Sequence, residues 1–196
     1  NNAGLRGAYR SVEDTEPDEW RDAMETNFFA VAELVRRVVP GMRSRGGGVI
    51  CNVSSSAVWV PMPFFAAYRA SKAALQVLGE TMRVELAPFG IRVLDAPIGG
   101  VDTDMLRSGI SHRPPEAIDS EAYRPMAERV VELSAMGRTG AVAPAVAAAA
   151  IVDAIEDPTR HELFVAADPN STYWLDRRGG PIEAGLREML GNYGLS

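Results

Sequence analysis

Cysteine is almost absent from this sequence. The one residue, Cys51, excludes an internal disulfide and fits a reducing compartment, so a cytoplasmic location is expected. The two histidines, His112 and His161, are far apart in the chain, and with a single cysteine they give no spacing for a Cys/His zinc centre, so no metal is expected. No apolar run approaches the ~20 residues that a membrane-spanning helix needs. No signal-peptide pattern is seen. Positive charge is also scarce: 20 Lys and Arg stand against 26 Asp and Glu, for a net charge of −6. The arginines are scattered rather than clustered, which argues against a nucleic-acid partner. Lysine is the scarcest charged residue, with Lys72 alone beside 19 arginines.

What is present reads as one soluble globular domain, 46% hydrophobic and 23% charged over 196 residues. A long helix is expected from Pro17 to Arg43, with Pro17 and two acids in its first turn and Phe28, Val31, Leu34, Val35 and Val38 at helical spacing. The run GGG (46–48) reads as a turn. It is not a phosphate-binding loop, since no G-K-[ST] follows. VICNV (49–53) reads as a buried strand, SSSAVWVPMPFF as a loop, and a second helix is expected over about 67–87. IRVLDA (91–96) reads as another strand, leading into the glycine loop PIGGVDT. Residues 104–140 read as an irregular insertion, 143–155 as a helix, and ELFVA (162–166) as a last strand. Strands alternating with helices of this length imply right-handed βαβ units and a parallel sheet.

Lys72 lies four residues after Tyr68, in YRASK. On a helix these positions share a face. A phenol with a pKa near 10 is protonated at neutral pH, and an ammonium beside it would favour the phenolate. The pair would then exchange a proton near neutrality. Arginine would bring the charge in a fixed planar fork. Lysine brings a compact charge with three rotatable donors. Alone, the pattern is as well explained by surface residues on a helix. Two further features weigh against that: VSSS lies at the carboxyl end of the preceding strand, where open α/β sheets bind ligands, and Asn27 and Ser55 precede Tyr68 by 41 and 13 residues. No G-x-S-x-G elbow is present for a serine hydrolase.

With these residues in place, the chain resembles a short-chain dehydrogenase/reductase, closely over about residues 1–105 and loosely beyond. NNAG (1–4) resembles the family's loop beside the cofactor's adenosine ribose, ETN (25–27) the helix segment whose asparagine holds a water relay, VSS the segment with the catalytic serine, YRASKAA the Tyr/Lys signature, and GGVDT the nicotinamide loop. The resemblance implies an α/β fold with a Rossmann-like, doubly wound parallel sheet, amino-terminally truncated, in a single domain over 1–196 with a substrate lid at 104–140. It implies Tyr68 as proton donor or acceptor, Lys72 as its modulator and ribose ligand, Ser55 as the group that stabilises the substrate oxygen, and Asn27 as the positioner of a water. It also implies Asn2, Ala3, Gly4, Tyr68, Lys72, Gly99, Val101 and Thr103 as cofactor-binding residues. The implied cofactor is NADP or NAD, with NADP(H) ahead. The helices around 17–43 and 67–87 would join two or four copies in a homodimer or homotetramer.

The chain departs from that pattern at three places. Ile98 stands where the family has proline before the glycine loop, with Pro97 one place early, and Val58 stands where glycine is usual. The amino-terminal glycine-rich turn is not in these residues, so that half is expected ahead of Asn1. The chain alone is therefore expected to bind dinucleotide poorly and to aggregate, and tight, saturable binding to a monodisperse sample would refute this. The loop from Trp59 to Phe65 and the lid residues Pro114, Pro115, Tyr123 and Met126 suggest a small lipophilic carbonyl or alcohol substrate, with plain core packing as the other explanation. The run through GGVDT is also similar to acyl-dihydroxyacetone-phosphate reductases and to hydroxysteroid and retinol dehydrogenases. A truncated, non-catalytic binding or interaction module remains the alternative function.

Overall fold

The structure is a computed structural model of the chain, and it describes residues 1–108, 116–137 and 141–160 and the single positions 164, 172, 175, 176 and 191. Two parallel strands form its centre: β1 (Gly48–Ser55) and β2 (Ile91–Ile98), in register from Gly48 opposite Ile91 to Ser55 opposite Ile98. Asn1 extends the sheet on the far side of β1, where the Val53 N–H donates to the Asn1 carbonyl at 2.9 Å. Phe164 bridges Asp95 in parallel on the far side of β2. The other residues of the expected strand 162–166 lie outside the described residues.

Alternation along the strands sends apolar side chains to both faces. On one face Ile50, Ile91 and Val93 pack against Met82, Leu86 and Leu78 of α3 (Ala66–Leu86) and Val35, Val39 and Met42 of α2 (Ala30–Ser44). On the other, Val49, Cys51 and Leu94 meet Ala154 and Ile155 of α6 (Pro144–Glu156). Helices on both faces of a parallel sheet make the doubly wound arrangement that the strand and helix spacing implies.

The first expected helix is more complex than its periodicity suggests. α1 (Pro17–Met24) starts with Pro17 in its first turn and the Glu19 carboxylate accepting the Glu16 N–H at 3.1 Å. It then passes through a π-helical turn over Glu25–Phe29, where the Ala30 N–H reaches back to the Glu25 carbonyl, before continuing as α2. Such a turn widens the helix by one residue and rotates what precedes it. Asn27 sits in it, fully buried.

Three further boundaries differ from the sequence reading. Ser54 and Ser55 belong to β1 rather than to the loop, and Pro97 belongs to β2 rather than to the glycine loop. Pro97 stands next to the strand's last residue, where a missing N–H costs the ladder least. Within 104–140 the chain is not irregular throughout: it forms α4 (Asp104–Arg107), a 3₁₀ turn (Glu116–Asp119) and α5 (Arg124–Gly137). Phe64 joins this insertion to the domain, packing with Ala117, Ala127 and Val130. At Gly90 the chain turns into β2 with φ +70, and an added Cβ would lie 2.7 Å from the Gly46 carbonyl oxygen, so glycine is required there.

Candidate active site

β1 ends at Ser55, and the chain leaves through a 3₁₀ turn (Ser56–Trp59) whose first N–H donors need a partner. The Ser55 hydroxyl accepts the Ala57 N–H at 3.2 Å. Arg69 on α3 ties the same turn down, donating to the Ala57 carbonyl at 2.8 Å and the Val58 carbonyl at 3.1 Å. That fixes the strand end against the helix that carries Tyr68 and Lys72. The Ser55 hydroxyl also hydrogen-bonds the Tyr68 phenol.

Tyr68 is 9% exposed. Its ring stacks on Phe65 at 4.6 Å and 21°, and Phe65 stacks in turn on Tyr9 at 4.9 Å. The expectation that Lys72 draws the phenol toward neutrality is not what this geometry shows. Burial dominates and holds the Tyr68 pKa above its usual value, and the opposing influences are the Ser55 hydrogen bond and the charge of Arg6. The Lys72 ammonium lies 5.9 Å from the ring centroid and donates to the Val53 carbonyl at 2.9 Å.

Lys72 is itself perturbed. It is 4% exposed, and burial pushes its pKa down to about 8, with the Asp95 carboxylate pulling the other way. An ammonium has three donors. Here one goes to Val53, and no second acceptor is found among the described residues. Gly4 borders this ammonium: an added Cβ would lie 3.4 Å from both the Lys72 Nζ and the Asn27 Oδ1. A side chain at Gly4 would fill the room between them. Asn27 accepts the Leu5 N–H at 2.7 Å and donates to the Leu5 carbonyl and the Ser71 hydroxyl, each at 2.8 Å. Ser71 passes the link on to the Tyr68 carbonyl at 2.8 Å.

The structure thus gathers Asn27, Ser55, Tyr68, Lys72 and Gly4 at the carboxyl end of β1. Asn2 and Ala3 lie exposed just before Gly4. The glycine loop is pinned beyond β2: Val101 bridges Val142, the Val142 N–H donates to the Gly100 carbonyl at 2.9 Å, and the Thr103 hydroxyl donates to the Val101 carbonyl at 3.3 Å. Gly99 precedes that bridge. The proposed substrate residues divide. Phe65 lies against the phenol. Trp59 instead packs edge-on to Phe164, and Tyr123 and Met126 pack around Phe64 within the 104–140 insertion. Pro114 and Pro115 lie outside the described residues. Sequence patterns did not single out Arg6, Tyr9, Arg69 or Ser71. Their roles depend on partners distant in the chain, and no local signal marks them.

The short chain dehydrogenase family profile matches residues 1–113. The chain belongs to the short-chain dehydrogenase family. It is 34% identical over 133 residues to the NADPH-dependent 1-acyldihydroxyacetone phosphate reductase of Schizosaccharomyces pombe, covering 67% of this chain and 44% of the relative. Among solved structures, a short-chain dehydrogenase from Streptomyces avermitilis superposes with a TM-score of 0.74 at 33% identity, covering 98% of this chain and 66% of that one. A short-chain dehydrogenase from Burkholderia cenocepacia J2315, in complex with NADP, superposes with a TM-score of 0.73 at 27% identity, covering 97% and 69%. The chain spans less than half the length of the curated relative named above. Among the described residues, no helix is long and apolar enough to cross a membrane.

Proposed function

We propose that this chain carries the proton-transfer half of an NAD(P)(H)-dependent oxidoreductase that interconverts a ketone or aldehyde and an alcohol. The observation that carries this reading is the convergence of Ser55, Tyr68 and a buried, under-used Lys72 ammonium at one sheet edge. Burial keeps the Tyr68 phenol protonated at neutral pH, so it is poised to give its proton to a carbonyl oxygen. The Ser55 hydroxyl, at the strand end, donates to the same oxygen and stabilises its developing charge. Lys72 fits a cofactor's ribose hydroxyl: its free donors face the room that Gly4 leaves, and its lowered pKa lets it pass a proton onward. Asn27 holds the neighbouring loop through Leu5 and sets the room in which a water would sit. Gly4, with Asn2 and Ala3, and the loop of Gly99, Val101 and Thr103 would hold the cofactor. The cofactor, when bound, supplies or accepts the hydride.

NADP(H) is favoured over NAD(H), in line with the NADPH and NADP named for two of the similar proteins. The substrate is read as lipophilic from the aromatic and methionine content of the loop from Trp59 to Phe65, between Ser55 and Tyr68. A cytoplasmic enzyme is proposed. It would associate through the outward faces of α2 and α3, where Leu34, Val38, Val77 and Val84 are exposed. Because residues 1–196 alone are expected to bind dinucleotide poorly, the test uses the protein expressed from its whole reading frame, titrated with NADPH and NADH and then assayed for reduction of a panel of ketones. Saturable binding and carbonyl-dependent oxidation of the cofactor support the reading. Binding with no turnover of any carbonyl, or no binding at all, favours the non-catalytic alternative.

A further inference from the structure

Arg6 lies between the reaction centre and the lid. It lines a cavity of about 170 Å³ together with Gly7, Ala8, Tyr9, Ser108 and Glu116. It also lines a narrower cleft whose walls include Phe65 and Tyr68. Its charge is felt at the Tyr68 phenol, where it favours the ionised form.

The donors of Arg6 are unevenly used. Nη1 donates to the Tyr9 hydroxyl at 3.0 Å and the Met105 carbonyl at 3.2 Å. Nη2 donates to the Ser108 carbonyl at 3.0 Å, and its second contact, with the Ser108 hydroxyl, is a weak one at 3.5 Å. Nε is buried and has no acceptor. Among the described residues no carboxylate pairs with Arg6. A buried N–H without an acceptor is costly, so its persistence needs a reason. The Nε–H and one Nη2–H form the edge of the guanidinium that matches two oxygens of an oxyanion. An oxyanion there would displace the packing that now buries Nε and the weak contact to the Ser108 hydroxyl. The Gly7 and Ala8 N–H groups, on the same cavity, donate to no acceptor among the described residues. Among the described residues, two carboxylates border this set: Glu116 lines the cavity and accepts the Tyr9 N–H at 2.8 Å, and Glu19 lines the cleft but is paired with Arg10.

We propose that Arg6 anchors an oxyanion carried by the substrate, so that the substrate class is a lipophilic ketone bearing a carboxylate or phosphate away from its reacting carbonyl. The narrower cleft between the two ends is walled by Phe64, Phe65, Ala66 and Tyr68, which gives an apolar stretch its setting. This deepens the oxidoreductase reading and rests on it. The bonds from Arg6 to Met105 and Ser108 also strap α4 in place, so the test must separate anchoring from strapping.

The experiment compares three compounds of equal chain length in NADPH-linked reduction: a keto carboxylate, its methyl ester, and the matching keto phosphate monoester. The readout is the ratio of kcat/KM between charged compound and ester. The parent is expected to favour one charged compound by about tenfold or more. Which of the two is favoured identifies the oxyanion. Arg6→Leu is expected to bring the ratio close to one, Arg6→Lys to keep part of it, and Glu116→Gln to increase it. A loss of strapping alone would slow all three compounds alike and leave the ratio standing. A parent that treats acid and ester equally, or an Arg6→Leu protein that keeps the preference, overturns the proposal. If no compound is reduced, the oxidoreductase reading fails, and calorimetric titration with inorganic phosphate then decides the anion site by itself. Binding to the parent that Arg6→Leu abolishes supports the site. Equal binding, or none, overturns it.

Discussion

Replacing Lys72 by methionine is expected to stabilise the cofactor-free protein at neutral pH. The Lys72 ammonium is buried, and its pKa falls from the ordinary 10.5 to about 8. Between those two values the unfolded chain holds the proton and the folded chain has released it. Stability therefore rises with pH across that window, by about 1.4 kcal/mol per pH unit for one proton and about 3 kcal/mol in all. Below pH 8 both states are charged and the full cost of burial is present. Above 10.5 both are neutral and the cost is gone. Methionine has no proton to lose and packs as an apolar chain of similar length. It also forfeits the bond to the Val53 carbonyl, worth about 1 kcal/mol. The expected net gain at pH 7 is about 2 kcal/mol. The assay is urea unfolding of both proteins at pH 7, 8, 9 and 9.5. The advantage of the methionine variant should hold steady below pH 8 and shrink steadily above it. Tyr68 titrates above its usual range and is present in both proteins, so it does not enter the difference. Curves that stay parallel from pH 7 to 9.5 would refute the reasoning, since the lysine would then not be paying for its position.

Two other substitutions test the scaffold. Asn27→Ala removes three hydrogen bonds, two part-buried with Leu5 and one buried with Ser71. At about 1 kcal/mol each the expected loss is about 3 kcal/mol by chemical unfolding, and a loss below about 1 kcal/mol would contradict the role given to the π turn. Gly90→Ala places a Cβ 2.7 Å from a backbone oxygen at φ +70. It should cost about 2 kcal/mol, and a thermal midpoint equal to the parent's would refute the strain.

The central βαβ unit was legible because its signals are local. Runs such as VICNV and IRVLDA can hardly be anything but buried strands, and α3 places Tyr68 and Lys72 on one face by spacing alone. Ser55 was singled out by the resemblance and its spacing to Tyr68, and its place as the last residue of β1 is what the structure adds. The π turn was hidden, because Val31, Val35 and Val39 keep an ordinary helical spacing along α2 and nothing in that spacing marks the extra residue before them. α5 was hidden by Pro125, which ends helices when internal but starts them in the first turn, where it lies here. The electrostatics were the least legible part. Spacing brings an ammonium beside a phenol, but it does not reveal how deeply each is buried, and burial sets the direction of both pKa values. The supporting polar set was equally invisible, since Asn27 meets Ser71 44 residues away and Gln76 meets Ser54 22 residues away.

The most direct test of the proposed chemistry is Tyr68→Phe, which deletes one oxygen and keeps the ring stacked on Phe65. With a carbonyl compound that the parent reduces, kcat should fall by about a hundredfold or more while the Kd for NADPH stays near the parent's. A variant that retains the parental rate would contradict the assignment of Tyr68 as the proton donor and, with it, the site built from Ser55, Tyr68 and Lys72.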